Sequence, residues 1–148
     1  MPRMLSAIGI FAVLVFLSNQ FSLAADDADP LQGVWIAETA KADGKSLPEE
    51  VVKNMRFTFK GDKLFIRGNS GGEKEDECAY KIDSKQSPMH LDISPPEEKK
   101  PVLAIYEVKK DQLKICLRHS SSSEGRPDSF DAKPESKRIL MIFKEEKK

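Results

Sequence analysis

Few side chains in this sequence have the types and spacing that catalysis requires. The 148 residues include two histidines, His90 and His119, and nothing near either one suggests a Ser-His or Cys-His nucleophile with a third orienting group. The serines at 120–123 are typical of a flexible loop, and no glycine-rich phosphate loop, HExxH or CxxC motif occurs. We therefore predict no catalytic residues and no enzymatic activity. The alternative is an enzyme whose site is assembled from distant residues.

Carboxylates are the next candidates for chemistry, because one run of them is dense. Glu73, Glu75, Asp76 and Glu77 fall in a polar stretch that also contains glycines. A calcium loop needs a defined spacing of ligands, and this run lacks it. We predict a solvated hairpin loop over residues 68–77, with no metal site and no cofactor.

The two cysteines, Cys78 and Cys116, are predicted to lie on opposite faces of one sheet. Alternation places Cys78 and Tyr80 on the same apolar face. It places Cys116 on the same face as Lys114 and Arg118, which is polar and exposed. Disulfide geometry is not available across a sheet, so an intramolecular bridge is not favoured. Pairing of an exposed Cys116 between two chains, and a bulge that reverses its face, are the alternatives.

Aromatic residues are better candidates for binding than any polar group is for catalysis. The side chains predicted to line a ligand cavity are Trp35, Phe57, Phe59, Tyr80 and Tyr106, together with Leu91 and Ile115. Small barrels either fill with side chains or hold one small ligand, so an ordinary core is the alternative role for the same residues. Inward tyrosine hydroxyls would need hydrogen-bond partners, which favours a polar spot inside the barrel.

The elements that must position these residues are short strands. Eight segments show strand-like patterning and are separated by turn residues. The predicted strands are 31–39, 55–60, 63–67, 78–83, 89–94, 102–108, 112–118 and 138–144. Without βαβ alternation, this pattern indicates an antiparallel sandwich or barrel, and pairing of the first strand with the last would remove both edges. We predict an all-β, up-and-down barrel of about eight strands.

One short helix is expected directly after the first strand. Ser46 and Glu49 have the spacing of a capping box, and the intervening proline suits a first helical turn. Leu47 and Val51, together with the adjacent Val52, would form its apolar side. This arrangement predicts a small lid packed over the barrel.

The N-terminal residues 1–24 have the pattern of a secretory signal peptide. Arg3 supplies a positive start, Ile8 to Leu17 is almost unbroken apolar sequence, and Ser22 and Ala24 provide the small residues before a cut. The apolar core is short for a membrane span, so we expect cleavage before Ala25 rather than an uncleaved anchor. The predicted location is outside the cytoplasm, in the periplasm, cell envelope or extracellular space.

The remaining chain is predicted to be one domain. Residues 25–30 form a short acidic leader, and 31–148 form the barrel domain, a length that suits a single core. The whole chain carries 24 basic and 24 acidic residues, which gives no electrostatic reason to expect nucleic acid as a partner. We expect no stable membrane span after cleavage, and a monomer or a homodimer.

Six motifs carry a resemblance that covers nearly the whole predicted domain. They are Leu31-Gln32-Gly33-x-Trp35, Asp43-Gly44-Lys45, Phe57-x-Phe59-x-Gly61-Asp62, Ile105-Tyr106-Glu107, Leu113-Lys114-Ile115-Cys116 and Arg126-Pro127-x-x-Phe130. Their order and spacing resemble a family of small exported domains of unknown function, abundant in planctomycete bacteria and judged lipocalin-like. The resemblance implies a lipocalin-like (calycin-like) barrel and a bacterial cell-envelope setting, and it supplies no catalytic residues. Likeness to lipocalins further implies that Arg126 or Arg138 stacks on Trp35.

These observations lead to one hypothesis with two rivals. The hypothesis is an exported, lipocalin-like domain that binds a small apolar or amphipathic molecule without catalysis. The first rival is a structural or protein-interaction module of the cell envelope with a filled barrel. The second is the enzyme with a non-local site. An open apolar cavity below the short helix would favour the ligand-binding hypothesis. A filled interior with an apolar outer patch would favour the structural module.

Overall fold

Strand pairing organises the chain from Gly33 to Glu145. The computed structural model describes residues 29–68, 74–118 and 124–147, and the predictions for the signal peptide, most of the leader, His119 and the serine run lie outside them. The elements are β1 Gly33–Ala42, β2 Lys45–Ser46, α1 Glu49–Lys53, β3 Arg56–Lys60, β4 Lys63–Arg67, β5 Glu75–Asp83, β6 Met89–Ser94, β7 Val102–Lys109, β8 Gln112–Arg118 and β9 Arg138–Glu145. Of these, β4, β6 and β8 have the predicted bounds.

The sheet closes on itself, which confirms the predicted barrel. Each strand from β3 to β9 pairs antiparallel with the next, and β1 pairs with both β3 and β9. Eight strands form the closed barrel, and the two-residue β2 is an additional strand paired to the far end of β1. Closure leaves no long free edge that would expose unpaired backbone groups.

β1 changes the direction of its side chains in the middle. Its register with β9 shifts between Ala37 and Thr39, so the extra residue Glu38 forms a bulge. Trp35 and Ala37 therefore face the interior before the bulge, and Ala40 is buried after it. A strict two-residue alternation would have turned Ala40 outward.

The short helix forms as predicted, but its start differs. Its N-cap is Pro48, and no side chain caps the helix start. Ser46 instead lies in β2, where it pairs with Lys41 of β1. The predicted capping box is therefore wrong. Val52 is buried in the core whereas Val51 is 43% exposed, since so short a helix can direct only one of two adjacent residues inward. The backbone N–H of Ala37 donates to Met55 O at 3.0 Å, which ties the end of the helix to β1.

Two predicted connections between strands, the turn at Asp43-Gly44 and the loop 68–77, have different outcomes in the structure. The predicted Asp43-Gly44 turn is present, and a side chain at Gly44 would strike Pro134 at 2.6 Å, so glycine permits this close approach. The predicted loop 68–77 is shorter than expected, because Glu75 to Glu77 pair with β4 and extend β5. Glu73 lies outside the described residues. No helix in the described ranges is long and apolar enough to cross a membrane.

Candidate functional site

All five aromatic residues predicted to line a site lie in one buried cluster inside the barrel. They are Trp35, Phe57, Phe59, Tyr80 and Tyr106, and Leu91 and Ile115 belong to the same cluster. The Phe59 and Tyr80 rings meet edge to face at 4.9 Å between centroids, and Phe57 lies 4.7 Å from Phe143. Such tilted contacts are favourable for aromatic pairs.

Trp35 is anchored by the main chain rather than by an arginine. Its side chain is 1% exposed, and its indole Nε1–H donates to Leu31 O at 2.8 Å. Arg126 donates instead to Ala104 O at 2.7 Å and pairs with Asp92, while Arg138 bonds to residues of the 128–131 stretch. The expected stacking of either arginine on Trp35 is therefore wrong, because both guanidinium groups are engaged elsewhere.

Residues 29–32 pack into one end of the barrel and form what we call the N-terminal plug. Leu31 is fully buried there, and Gln32 Nε2 donates to Gly61 O at 2.8 Å and to the Tyr80 hydroxyl at 2.6 Å. The Tyr80 hydroxyl in turn donates to Asp29 Oδ2. Burial, and then the bond to Asp29, raises the pKa of Tyr80, so the phenol stays protonated. The Tyr80 hydroxyl thus holds the plug in place through its hydrogen bonds to Gln32 and Asp29, which we call the latch.

We expect Tyr80→Phe to lower the free energy of unfolding by about 1–2 kcal/mol, because Asp29 loses a hydrogen bond in a partly buried setting. Ring packing against Phe59 is kept, which isolates the hydroxyl. Chemical denaturation monitored by Trp35 fluorescence would measure the loss. A midpoint equal to that of the unmodified protein would contradict the latch.

The hydroxyl of Tyr106 has a different setting. Its side chain is fully buried in the barrel, and among the described residues no group hydrogen-bonds to this oxygen. Burial raises the pKa of Tyr106, with further contributions from the charges of Asp29 and Asp83, so the phenol remains a neutral donor. Leaving such a group unsatisfied costs about 1–3 kcal/mol, which a filling side chain such as phenylalanine would avoid.

Inward-facing apolar side chains remain partly exposed at the end of the barrel near α1. This α1-end rim consists of Ile66, Val102, Leu117 and Ile139. Strand register places Leu117 opposite Ile139. It places Ile66 opposite Phe57, which lies on β3, the strand that follows α1. Ile82, Met89 and Val108 are also partly exposed towards the other end, but the N-terminal plug packs into that end. The rim is thus the apolar approach to the interior that the plug does not occupy.

A groove that the sequence did not indicate lies beside α1. Its volume is about 390 Å³. The lining residues are Glu38, Thr39, Ala40, Lys41, Ser46, Leu47, Glu49, Val52, Leu140 and Ile142. Its apolar floor depends on the bulge in β1 and on the docking of α1, which bring together residues about a hundred positions apart in the chain.

Residues 124–137 lie against the outer face of the barrel and form what we call the strap. Beneath it Ile105 and Cys116, which pair across β7 and β8, are fully buried. The prediction that Cys116 is exposed is therefore wrong, because the strap covers that face and Cys116 Sγ lies 3.6 Å from Asp131 O. The prediction of opposite faces is confirmed, since Cys78 lies inside the barrel, and both thiols are free. Burial raises the pKa of Cys116 to about 11.

Two arginines hold the strap. Arg118 Nε donates to Gly125 O at 2.7 Å, and its guanidinium also pairs with Glu124. Arg138 lies 2.7 Å from Asp128 and 3.2 Å from Asp131. Both arginine side chains are largely buried, so the strap packs on their stems as well as on their charges.

Acidification is expected to weaken the strap. A hydrogen bond from Arg138 lowers the pKa of Asp128, and a hydrogen bond from Ser129, followed by the charge of Arg138, lowers the pKa of Asp131. Because these pKa values are lower in the folded than in the unfolded protein, their stabilisation is present at neutral pH and is lost below the ordinary value of 3.8.

The measurement is the difference in unfolding free energy between the unmodified protein and Arg138→Met, from neutral pH down to about pH 3. We expect the difference to shrink in acid, because the variant lacks the guanidinium that lowers the pKa of Asp128 and adds to the lowering of the pKa of Asp131 by Ser129. A difference that stays constant over this range would contradict the assignment.

Within residues 29–68, 74–118 and 124–147, no group of three or more His, Cys, Asp or Glu side chains is arranged to hold a metal ion. His90 lies opposite Asp83 in the register of β5 and β6. A scan against protein-family models found no match, and searches of curated proteins and of solved structures found no similar protein.

Proposed function

We propose that this protein binds a small apolar or amphipathic molecule through the α1 end of its barrel, without catalysing a reaction. The observation that carries the proposal is the α1-end rim, where Ile66, Val102, Leu117 and Ile139 face inward yet stay partly exposed. An apolar ligand would bind favourably where exposed apolar area continues into a buried aromatic interior, because binding removes that area from water. Trp35, Phe57, Phe59, Tyr80 and Tyr106 are the proposed binding residues deeper in the barrel.

A second candidate is a structural or interaction module that uses its outer surface. The ring contacts of Phe57 with Phe59 and Phe143 support a filled barrel. The groove beside α1 offers an apolar outer surface at Leu140 and Ile142. In this case the rim would be ordinary surface, and the groove would contact the partner.

A matched pair of substitutions distinguishes the two candidates. Leu117 on the rim and Leu140 in the groove are both partly exposed leucines on neighbouring strands, so Leu117→Glu and Leu140→Glu introduce the same charge at the two sites. Protein purified from its own host would be examined by native mass spectrometry for a bound small molecule. We expect the molecule with the unmodified protein and with Leu140→Glu, but not with Leu117→Glu.

Three outcomes bear on the choice. Loss of the molecule with Leu140→Glu alone would assign binding to the groove. Absence of any small molecule from the unmodified protein, across several mild preparations, would contradict the binding proposal and favour the structural module. Retention by both variants would contradict binding at the rim.

We also propose export, with cleavage before Ala25, and membership of the planctomycete-type family named above. The support for export is the signal-peptide pattern of residues 1–24, and the support for the family is the order of the six motifs. The intact mass of the protein recovered from its host would test export. A mass that includes residues 1–24 would contradict cleavage.

A further inference from the structure

Unsatisfied hydrogen-bonding groups are rare in the described parts of this protein, and one of them is inside the barrel. The two buried side-chain atoms without a partner are the Tyr106 hydroxyl and Arg138 Nε. Arg138 lies with the strap outside the barrel, whereas Tyr106 belongs to the interior cluster. Buried polar groups are nearly always paired, so an unpaired hydroxyl indicates that something absent from the protein chain itself completes it.

The described interior lacks a charge that is available to complement a charged ligand. No charged side chain among the described residues is buried. Asp76, whose register places it on the inward side near the rim, lies 3.8 Å from Lys74. The carboxylate of Asp29 in the plug already accepts hydrogen bonds from the Tyr80 hydroxyl and from the backbone N–H of Leu31. An ionised carboxylate or ammonium taken into this interior would lose its hydration without gaining a counter-ion, which is very unfavourable.

The strand that carries Tyr106 also offers a path to it from the rim. Val102, Ala104 and Tyr106 face inward in succession on β7, and Ala104 is the small side chain between the other two. Four residues of strand span about 13 Å, at roughly 3.3 Å per residue. A slender chain entering beside Val102 could therefore pass Ala104 and bring a polar end to the Tyr106 hydroxyl.

We propose that the ligand of this barrel is an uncharged amphipathic molecule whose single hydroxyl or carbonyl oxygen accepts a hydrogen bond from Tyr106. The proposal rests on the binding function proposed above and adds the chemical class of the ligand. It excludes fatty acid anions and alkyl amines as preferred ligands. The apolar part of the molecule lies towards the α1-end rim.

Four probes of similar length and different polar ends test the class: octanol, octanoate, octylamine and octane. Trp35 is the sole tryptophan and is buried in the same cluster, so its fluorescence reports binding directly. We expect octanol to bind more tightly than the two charged probes. Tyr106→Phe should weaken octanol binding by about three- to tenfold, the effect of one hydrogen bond, and leave octane binding unchanged.

Thr58→Val is the matched control. It also removes one hydroxyl with little change of shape, but Thr58 alternates with the buried Phe57 and Phe59 on β3 and so faces out of the barrel. We expect the ratio of octanol to octane affinity to be unchanged in this variant. Tyr106→Phe itself should fold, because the ring is kept and an unsatisfied group is removed.

The remaining outcomes overturn one proposal or the other. Tighter binding of octanoate or octylamine would overturn the uncharged class while keeping the binding function. Equal octanol affinity in Tyr106→Phe would overturn the role of Tyr106 and assign its hydroxyl to an internal water. If none of the four probes changes the fluorescence of the unmodified protein, the binding function itself is contradicted, and the ligand class with it.

Discussion

Trp35→Ala is expected to lower the free energy of unfolding by about 3–5 kcal/mol, the usual cost of replacing a large buried aromatic residue with alanine. Trp35 is among the largest fully buried side chains, so its removal leaves a cavity that the neighbouring strands cannot fill by a small shift. The variant also loses the bond from the indole to Leu31 O, which joins β1 to the N-terminal plug. Chemical denaturation followed by far-ultraviolet circular dichroism would measure the change, since the variant has no tryptophan.

Val51→Ala is the control for this measurement, because Val51 is an apolar residue that the barrel leaves exposed. We expect its effect to stay within about 0.5 kcal/mol, as for most surface substitutions. If Trp35→Ala unfolds at the same denaturant concentration as the unmodified protein, the indole is not part of the core.

The second large effect is expected at the strap. Arg138→Met should raise the rate at which a thiol reagent modifies Cys116 by roughly threefold or more, because the hydrogen bonds that hold the strap over this cysteine are lost and the strap opens more often. Methionine keeps an apolar stem against the barrel while it removes the bonds to Asp128, Ser129 and Asp131. Labelling kinetics in native buffer, resolved by peptide mass spectrometry, would measure the rate.

Cys78 provides an internal control for that experiment, because it is buried inside the barrel rather than under the strap. Its labelling rate should change little in Arg138→Met, and a parallel rise at both cysteines would indicate general unfolding instead of strap release. Arg56→Met is a matched substitution elsewhere, since Arg56 pairs with Glu146 on the surface at 3.4 Å. An unchanged rate at Cys116 in Arg138→Met would contradict the role of Arg138.

The sequence predicted most of the sheet because alternation is a local signal. Met89 to Ser94 and Gln112 to Arg118 have the bounds expected from their apolar and polar residues, and the five aromatic candidates all face the interior. Each of these results depends only on a two-residue period within a short segment, and side chains in a strand alternate regardless of which strand lies beside them. Sequence could therefore place both tyrosines in the interior, although it gave no means to distinguish their hydroxyl groups.

What the sequence alone determined about this protein is thus the all-β class, the strand faces and the predicted interior. Tertiary structure decided that Tyr80 is latched to Asp29 while Tyr106 lacks a partner, that Glu38 bulges out of β1, and that the strap covers Cys116. The Tyr80 and Asp29 side chains are 51 positions apart in the chain. Contacts of this kind have no local periodicity, because they depend on which segments meet after the barrel closes.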